Sequence, residues 1–500
     1  MFKCSIPVLN LDPLGLNGTF MKKVILVSLS SLVLLGCAST SSDSPLASLT
    51  NSLTPDSTID KFQTTLSTGN VIKAQEMALE EADYDESSGE LDDQFWGMQS
   101  ASLYRFNANY EESNKFLDSI EDVMYLEDTE GTFTTVTENI TSSLTNDTFL
   151  DYEQSLYDSI MVNTYKALNF TILGDMQNAR VEWNRSDDRQ RRAADFFAEH
   201  INEIKEKQEE EALKEQEELD DESAVDIDSS LSKADEILAE QNIDMSEWSA
   251  YDGYINPFST FMHGLFFMLN AQDSSDLNKA VDSLVRVEGI TKTDVAAQTL
   301  SLAESLRNGT KSLNDINPVW VIFENGAMAR KEEFRIDLPV FIASSNVNYT
   351  GIALPKIEEQ ADQYSFISVQ GQNSEVIADM DKIIKAEFKE EWPIILTREI
   401  TRAVIKTVVQ KQINDENIWL GLAAGALQAA TTQADTRTWS TLPKNFQALM
   451  IDNDGSGMLE INSPGFMQPM SIEIEPTKKN IVYIKAIHQG IEPSVEVISI

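Results

Sequence analysis

The amino-acid sequence predicts an α+β protein, with a mainly helical N-terminal half and a mixed α/β C-terminal half that ends in antiparallel strands. In the first half, large apolar residues such as Leu79 and Phe95 are spread among charged ones without strand-like alternation. In the second half, short segments alternate apolar and polar residues or are apolar on both faces, as strands are. The expected domains are therefore a helical domain at 59–312 and a mixed domain at 313–500.

Composition limits the kind of protein. The chain has 500 residues, with 82 Asp and Glu against 38 Lys and Arg, so its formal net charge is −44. Binding to nucleic acid requires clustered positive charge, so nucleic acid is excluded as a general partner. With two cysteines and three histidines in all, we expect neither a disulfide framework nor a site built from several histidines.

The N-terminal segment predicts lipid attachment. From Met21 the chain reads MKKVILVSLSSLVLLGCAST, where two lysines precede an apolar run shorter than the roughly 20 residues of a membrane span. The run ends in Leu35, Gly36 and Cys37, which resembles the lipobox of bacterial lipoprotein signal peptides. In such a lipobox the thiol carries the lipid, and small residues before it let the peptidase reach the bond.

Processing at this lipobox defines the expected mature chain. Residues 1–20 fit no signal peptide and are interpreted as an upstream mis-start, and residues 21–36 are the signal peptide. Residues 37–58 then supply the lipidated cysteine and a disordered polar tether to the membrane. Lipoproteins with Asp after the cysteine are commonly retained at the inner membrane. Because Ala38 occupies that position, we expect the outer membrane, at its periplasmic face.

A spacing of small and large residues in the helical half predicts paired helices. On the first predicted helix, the small residue Ala167 is followed three positions later by the aromatic residue Phe170. Gly174 marks the turn, and on the second helix the small residue Ala179 is followed four positions later by the large residue Trp183. Small residues are needed where two helices cross closely, and large residues fill the space between neighbouring pairs. The pattern resembles the tetratricopeptide helix hairpin.

Two weaker copies of this pattern extend the prediction. One contains Ala101 and Tyr104, and another contains Gly264 and Phe267. No strict period of about 34 residues links the copies, so an irregular helical bundle is the alternative. An acidic segment at 205–230 separates them, and we interpret it as a solvated linker, with a divalent-cation sponge as the alternative.

One basic row is conspicuous in this acidic chain. Arg185, Arg189 and Arg192 share one face of a helix by their spacing. They are candidates for docking an anionic partner, because a guanidinium matches carboxylate and phosphate groups. The alternative is internal pairing with nearby acids such as Glu182 and Asp188.

The C-terminal half alternates predicted strands and helices. Strands are expected at 318–326, 332–342, 349–356, 446–451, 458–461, 470–476 and 480–487. Helices are expected over a periodic segment from Val376 to Phe388, over 394–412 after Pro393, and over 419–430. The last has small residues spaced by four but is too short to span a membrane. We interpret it as a tightly packed core helix, with a membrane-touching helix as the alternative.

The segment from Asp452 to Gly457 resembles the first half of an EF-hand calcium loop. Ser463 occupies the position where a bidentate Glu closes the calcium shell, and the flanking segments are strand-like. We therefore predict a β-hairpin turn that binds no calcium.

No catalytic motif is present, and the three histidines lie in separate segments, so no catalytic residue, metal or other cofactor is expected. An enzyme of unrecognised kind is the alternative. In ADTRTWSTLPKNF, the residues Asp435, Arg437 and Trp439 alternate and so share one side of an extended segment. They are candidates for partner binding, with a structural brace between the last helix and the β region as the alternative.

Several segments together resemble a known family. These are the lipobox, LNFTILGDMQNARVEWNRSDDRQRRA, FENG with FRIDLP, GIALPK, and ADTRTWSTLPKNF. The chain is similar in these to a family of Gram-negative periplasmic lipoproteins of uncharacterised activity with a tetratricopeptide-like N-terminal half. The resemblance implies work in the cell envelope, including peptidoglycan.

These observations predict a lipid-anchored scaffold or adaptor whose helical half binds a protein partner during cell-envelope biogenesis. The alternative is a lipoprotein whose C-terminal mixed half binds a glycan or another small ligand. Stacked tetratricopeptide hairpins bind partners in a concave groove. An open groove in the helical half therefore favours the scaffold, and a pocket in the C-terminal half favours the ligand-binding lipoprotein.

Overall fold

The computed structural model describes the following parts of the chain: residues 57–130 except 86 and 90, residue 152, residues 154–194, 256–340, 348–416 and 433–500, and four isolated positions between 195 and 255. Cys37, the tether, the acidic linker and the predicted helix at 419–430 lie outside the described residues. Within the described part, no helix is both long enough and apolar enough to cross a membrane.

The described N-terminal half is helical. Its helices are α1 Ser57–Ser67, α2 Val71–Ala82, α3 Gln94–Phe106, α4 Tyr110–Glu130, α5 Leu156–Ile172, α6 at 176–194, α7 Pro257–Leu269, α8 Ser274–Thr291 and α9 Asp294–Arg307. Side chains of Asn70, Asp93, Asn256 and Asp273 accept hydrogen bonds from first-turn N–H groups of α2, α3, α7 and α8. These capping side chains set where the four helices begin.

Equivalent helices of successive pairs lie side by side and run in the same direction. The contacts that show this join Gln94 to Gln154 and Arg105 to Tyr165 (α3 with α5), Met161 to Asn256 and Thr164 to Ser259 (α5 with α7), and Arg180 to Asp276 and Asp187 to Arg286 (α6 with α8). Residue numbers rise together in each pair of contacts, so these helices are parallel. The helices therefore form stacked hairpins, the arrangement of tetratricopeptide repeats.

The predicted small residues belong to the buried core of the helical half. Ala101, Ala167 and Ala179 are fully buried. Trp183 is 1% exposed, and its ring centroid lies 6.4 Å from that of Phe266 in the next hairpin. The two predicted aromatic residues near helix ends, Tyr104 and Phe170, are only partly buried. Gly174 has a φ of +78° in the turn between α5 and α6, a conformation that favours glycine.

The closest crossing in the third hairpin gives a stability prediction with a matched control. A Cβ atom at Gly264 of α7 would lie 2.8 Å from Leu284 Cγ and 3.2 Å from the Ala280 carbonyl oxygen of α8. We expect Gly264→Ala to lower the free energy of unfolding by about 1–3 kcal/mol through overpacking. Gly289→Ala is the control, because a Cβ there meets nothing within 4 Å, and it should raise stability by about 0.5–1 kcal/mol. Urea unfolding of both variants decides this, and equal shifts would contradict it.

The C-terminal half contains the strands and one long helix. The strands are β1 Pro318–Asn325, β2 Arg330–Val340, β3 Asn348–Glu358, β4 Ser368–Val369, β5 Gln372–Asn373, β6 Glu375–Asp379, β7 Asn445–Asp452, β8 Met458–Asn462, β9 Met470–Glu473, β10 Asn480–Ala486 and β11 Ser494–Ser499; α10 spans Met380–Glu416. They form a five-stranded sheet in the order β11-β10-β1-β7-β6, a four-stranded sheet in the order β5-β4-β8-β9, and the ribbon β2-β3. Only β1 and β10 pair in parallel among the described strands. The predicted α+β class is confirmed.

The five-stranded sheet lies between two layers. One face, with Trp320, Ile322 and Tyr483, packs on the helices, and the other, with Val319 and Val321, packs on the four-stranded sheet. This explains why β1 is apolar on both faces, as its sequence predicts. Because one hydrophobic cluster contains residues of helices and sheet alike, the two halves share a core. The domain boundary near residue 313 stays a prediction.

The predicted helix boundaries around α10 are wrong. Val376 and Ile377 belong to β6, which pairs with β7, so the helix begins only at Met380. Pro393 lies inside α10 rather than at the start of a second helix. A helix can continue through a proline when packing offsets the lost hydrogen bond. Here Trp392 and Leu396, on either side of the proline, both pack on the β2-β3 ribbon.

The predicted hairpin at the Asp452 loop is also wrong, because β7 and β8 belong to different sheets. The loop carries the chain from one sheet to the other, with Gly455 and Gly457 at positive φ. Asp454 Oδ1 accepts a hydrogen bond from Ser456 N at 2.8 Å, and its Oδ2 accepts a longer one from Gln370 Nε2 at 3.5 Å. That this loop binds no calcium stays a prediction.

Candidate functional site

The segment 433–446 crosses the first helices of the hairpins, α3, α5 and α7. Trp439 is fully buried, and its Nε1 donates a hydrogen bond to Ser102 Oγ of α3 at 2.8 Å. Its ring packs edge-on against Tyr165 of α5, at 5.8 Å between centroids. Further along, Phe446 stacks on Phe258 of α7, with 3.6 Å between centroids.

A single glutamine of α3 holds the backbone of this segment. Gln99 Nε2 donates to the Thr438 carbonyl oxygen at 2.9 Å, and Gln99 Oε1 accepts from the Thr441 N–H at 3.2 Å. A buried side-chain amide that pairs with both a C=O and an N–H is the way a groove holds an extended peptide. Stacked helix hairpins bind partners on an extended surface, and here the face formed by α3, α5 and α7 is covered by residues of the same chain. This places Trp439 in the core and favours the brace interpretation of the segment.

A buried ion pair joins the stack to the sheet. Arg105 of α3 is 1% exposed, and its Nη1 lies 3.0 Å from Glu324 Oε1 at the end of β1. The guanidinium lies between the rings of Tyr165 and Tyr483, at 4.3 and 5.1 Å from their centroids. Tyr483 also donates a hydrogen bond to Glu324. Glu324 is thus the carboxylate that compensates the charge of Arg105.

Lys485 of β10 extends this network and predicts a pH dependence. Its ammonium donates to the Arg105 carbonyl oxygen and to Tyr110 Oη at 2.7 Å. Burial, reinforced by the charge of Arg105 and opposed by that of Glu324, lowers the pKa of Lys485 to about 7. Because this folded-state pKa lies below that of an unfolded lysine, this group makes stability rise with pH above about 7.

The variant Lys485→Met tests this dependence. Below about pH 7 the lysine is charged in both states, and its buried charge destabilises the fold in full. We therefore expect Lys485→Met to gain stability relative to the parent at about pH 6 and to lose that gain by about pH 9. Urea unfolding at the two pH values measures it. A difference between the two proteins that does not change with pH would contradict the prediction.

The predicted arginine row is largely paired inside the protein. Arg189 is buried and donates from Nε to Asn163 Oδ1 at 2.6 Å. Arg185 contacts Glu121 at 3.1 Å and Glu182 at 2.9 Å, and both carboxylates also pair with the buried Lys166. Burial opposes ionisation of both acids, yet Lys166 holds the pKa of Glu121 below its usual value, whereas the pKa of Glu182 is raised.

Part of the row remains accessible. The side chains of Arg185 and Arg192 are 52% and 50% exposed, and Arg192 pairs with Asp188 of its own helix at 3.3 Å. Arg191, between them, also reaches the surface of α6 and pairs with Asp187. The accessible row therefore consists of Arg185, Arg191 and Arg192, without Arg189.

A second polar group, which we call the junction cluster, lies where the helical stack meets the C-terminal half. Its members are Tyr152, Asp158, Lys331, Glu387, Glu391, Asp435 and Arg437. Arg437 binds Asp435 through two nitrogens, at 3.0 and 2.7 Å, and its guanidinium lies 5.4 Å from the Tyr152 ring centroid. The two predicted polar residues of the segment thus pair with each other and contact a residue that precedes α5.

Helix α5 begins inside this cluster. Glu387 of α10 accepts hydrogen bonds from the N–H groups of Leu156 and Tyr157, at 2.6 and 3.3 Å. Asp158 accepts bonds from Tyr152 Oη at 2.7 Å and from the Ser155 N–H at 3.1 Å. Carboxylates are favourable at a helix N-terminus because its N–H groups lack partners within the helix.

The cluster has perturbed acids. Burial raises the pKa of Asp158 to about 6 although Ser155 and Tyr152 bond to it, and burial also raises the pKa of Glu391 against the charge of Lys331. Burial acts in the same direction on Asp435, but Arg437 keeps its pKa below the usual value. Among the described residues, no three acidic or histidine side chains are close enough together to hold a metal ion.

Sequence reasoning missed the two buried charges of the central strands. Glu324 and Lys485 are each the second-last residue of an apolar strand, in PVWVIFEN and NIVYIKA. A charged residue within a strand that is apolar on both faces signals a buried partner. That signal was present, although the sequence does not identify Arg105 as the partner. Asp158 had one local signal, the capping-box spacing from Ser155 ahead of an apolar run, which predicts a helix start but not the burial of the acid. Glu387 had no distinguishing local signal among 82 carboxylates.

Fold and site together define an α+β protein in which a stack of helix hairpins is closed by a β-sheet of the same chain. No family model, curated protein or solved structure matches the chain. The family resemblance seen in the sequence therefore stays a prediction.

Proposed function

We propose that this protein is a lipid-anchored scaffold or adaptor at the periplasmic face of the outer membrane, where it binds a protein partner in cell-envelope biogenesis. The observation that carries the proposal is the accessible row on α6. Arg185, Arg191 and Arg192 are each half-exposed or more in a chain of net charge −44. Each guanidinium pairs with an acid of this chain on one side, and its exposed N–H groups suit carboxylates on the surface of a partner.

The occupied face of the stack limits where a partner binds. Segment 433–446 already covers the first helices, and Phe446 belongs to the central strand β7, so displacing the segment would disrupt the sheet. We therefore assign the partner to the outer surface, where the second helix α6 carries the accessible row. Val181 lies on this surface, one turn before Arg185, and is 46% exposed.

Photocrosslinking in intact cells tests the partner surface. A photoreactive amino acid at Val181 should capture a discrete protein, and the same amino acid at the exposed Lys311, beyond α9, should not. The double variant Arg191→Gln/Arg192→Gln should reduce capture at Val181, because long-range charge attraction speeds association. Equal capture at both positions, or capture unaffected by the arginine changes, would remove the support for this surface.

Metabolic labelling tests the anchor separately. Cys37 should incorporate a labelled fatty acid, and Cys37→Ser should abolish the label and release the chain from the membrane fraction, since acyl chains supply the membrane affinity. Retention of Cys37→Ser in the outer-membrane fraction without label would contradict lipid anchoring and leave the partner surface to be judged on its own.

A further inference from the structure

Strand β11 forms an open edge of the five-stranded sheet. It pairs with β10 on one side, and no strand of the described residues pairs with its other side. The main-chain hydrogen bonds between Lys479 and Ile500 fix which residues of β11 bond to β10. Because bonding alternates along an antiparallel strand, the N–H and C=O groups of Val495, Val497 and Ser499 point away from β10. The edge therefore presents a row of main-chain donors and acceptors that no described strand uses.

The other open edges of the described sheets are protected against pairing, as natural edges usually are, by short length, irregular register, lysine or proline. β5 and β9 are two and four residues long, and the pairing of β6 shifts register between Val376 and Ala378. The ribbon strands carry cations and prolines: Lys331, Arg335 and Pro339 in β2, and Pro355 and Lys356 in β3. β11 is six residues long, pairs in one unbroken register and contains no lysine, arginine or proline. It is therefore the described edge best suited to the addition of another strand.

The side chains of β11 favour alternating apolar and polar residues in an added strand. Val495 and Val497 are β-branched and partly exposed, and they contact the core between the two sheets. Ile498 points to the other side, into the core shared with the helices, and the partly exposed Glu496 lies on that same side. Residues of an added strand opposite Val495 and Val497 would thus extend an apolar surface, and the residue between them would lie beside Glu496.

Charge decides which kind of strand fits this edge. Residues 492–500 include two glutamates and no lysine or arginine. The nearest preceding cation, Lys485, is buried, and its ammonium donates to the Arg105 carbonyl oxygen and to Tyr110 Oη. A second copy of β11 would bring no cation to Glu496 and would join two chains of net charge −44. A lysine or arginine opposite Glu496 is favourable, because opposite charges on neighbouring strands stabilise their pairing and like charges oppose it.

We propose that β11 binds an extended basic segment of a partner protein by β-strand addition, with a lysine or arginine opposite Glu496 and apolar residues opposite Val495 and Val497. In this mode of recognition, main-chain hydrogen bonds supply affinity and alternate side chains supply specificity. The edge of β11 is a second interaction surface, beyond the proposed function, and its use does not depend on the accessible row of α6.

Fluorescence anisotropy with a labelled peptide and the purified full chain tests the proposal. The probe is Thr-Val-Thr-Val-Lys-Val-Thr-Val-Thr with blocked ends, and the comparison peptide has glutamate in place of the lysine. The lysine peptide should bind more tightly than the glutamate peptide, and Glu496→Gln should weaken its binding about two- to fivefold, the effect of losing an opposite-charge pair across strands. Hydrogen exchange locates the peptide, because the amides of Val495, Val497 and Ser499 should exchange rapidly in the free chain and slowly in the complex.

Two variants of one residue make the result specific. Val497→Pro removes an N–H that points away from β10, so it should abolish peptide binding while leaving the bonds to β10 in place. Val497→Ala is the matched control, since it shortens the same side chain but keeps the N–H and should still bind. Circular dichroism checks that each variant is folded.

Four results would overturn the proposal. The lysine peptide could fail to bind, or could bind no better than the glutamate peptide, or could bind Val497→Pro as well as Val497→Ala. Slow exchange of the three amides in the free chain would be the fourth result. If the slow exchange requires high protein concentration, the edge pairs with a second copy, and if it does not, a segment of the same chain covers it.

Discussion

Replacing Glu324 with Gln should lower the free energy of unfolding by about 3–5 kcal/mol, because it leaves a buried arginine without a counter-charge. Arg105 has no other acid within ion-pair distance among the described residues, and its Nε and Nη2 atoms have no hydrogen-bond partner. The rings of Tyr165 and Tyr483 contact the guanidinium but do not neutralise it. Urea unfolding at neutral pH measures the loss.

The double variant Arg105→Met/Glu324→Gln separates the loss of the pair from the loss of one partner. Methionine removes the buried charge and keeps the length of the side chain, so the double variant should recover most of the stability lost by Glu324→Gln. If instead Glu324→Gln unfolded within about 0.5 kcal/mol of the parent, the pair would contribute little and Arg105 would have to be neutralised elsewhere.

Local patterns predicted the elements well, because each depends on residues close in the chain. The small and large residues around Gly174 are buried within one hairpin and against the next. The apolar run in β1 reflects burial on both faces of a strand. Both signals are carried by segments of fewer than 20 residues, in which side-chain periodicity follows directly from backbone geometry.

Contacts between distant segments were not predictable in this way. Gln99 and Thr441 bond across 342 positions, and Arg105 and Glu324 across 219. Nothing in a local pattern shows which of many acids faces which of many cations. The arginine row illustrates the limit: its helical spacing was clear, yet one of its three members, Arg189, is buried because the neighbouring helix α5 offers Asn163.

The same limit affected the functional prediction. A stack of helix hairpins suggests an open groove, and the sequence of the segment 433–446 leaves partner binding and a structural brace both open. The burial of the segment against α3, α5 and α7 favours the brace and covers this face of the stack. The proposed partner surface is therefore the outer surface of α6.

Trp439→Ala should therefore destabilise the whole molecule, with an expected loss of roughly 3–5 kcal/mol for a large buried aromatic residue. The ring contacts Tyr165 of α5, and its Nε1 donates to Ser102 of α3, so removing it opens a cavity between the hairpins and the segment. It also leaves the Ser102 hydroxyl without this donor.

The matched control is Trp439→Phe, which keeps most of the ring and should cost clearly less than the alanine variant. Because the stack and the sheet share one core, we expect helix signal and near-ultraviolet aromatic signal to be lost together in Trp439→Ala during urea unfolding. Two results would show that the segment 433–446 does not brace the two halves: a parent-like unfolding midpoint for Trp439→Ala, or helix signal that persists after the aromatic signal is lost. Either result would make the face covered by the segment a candidate partner surface again.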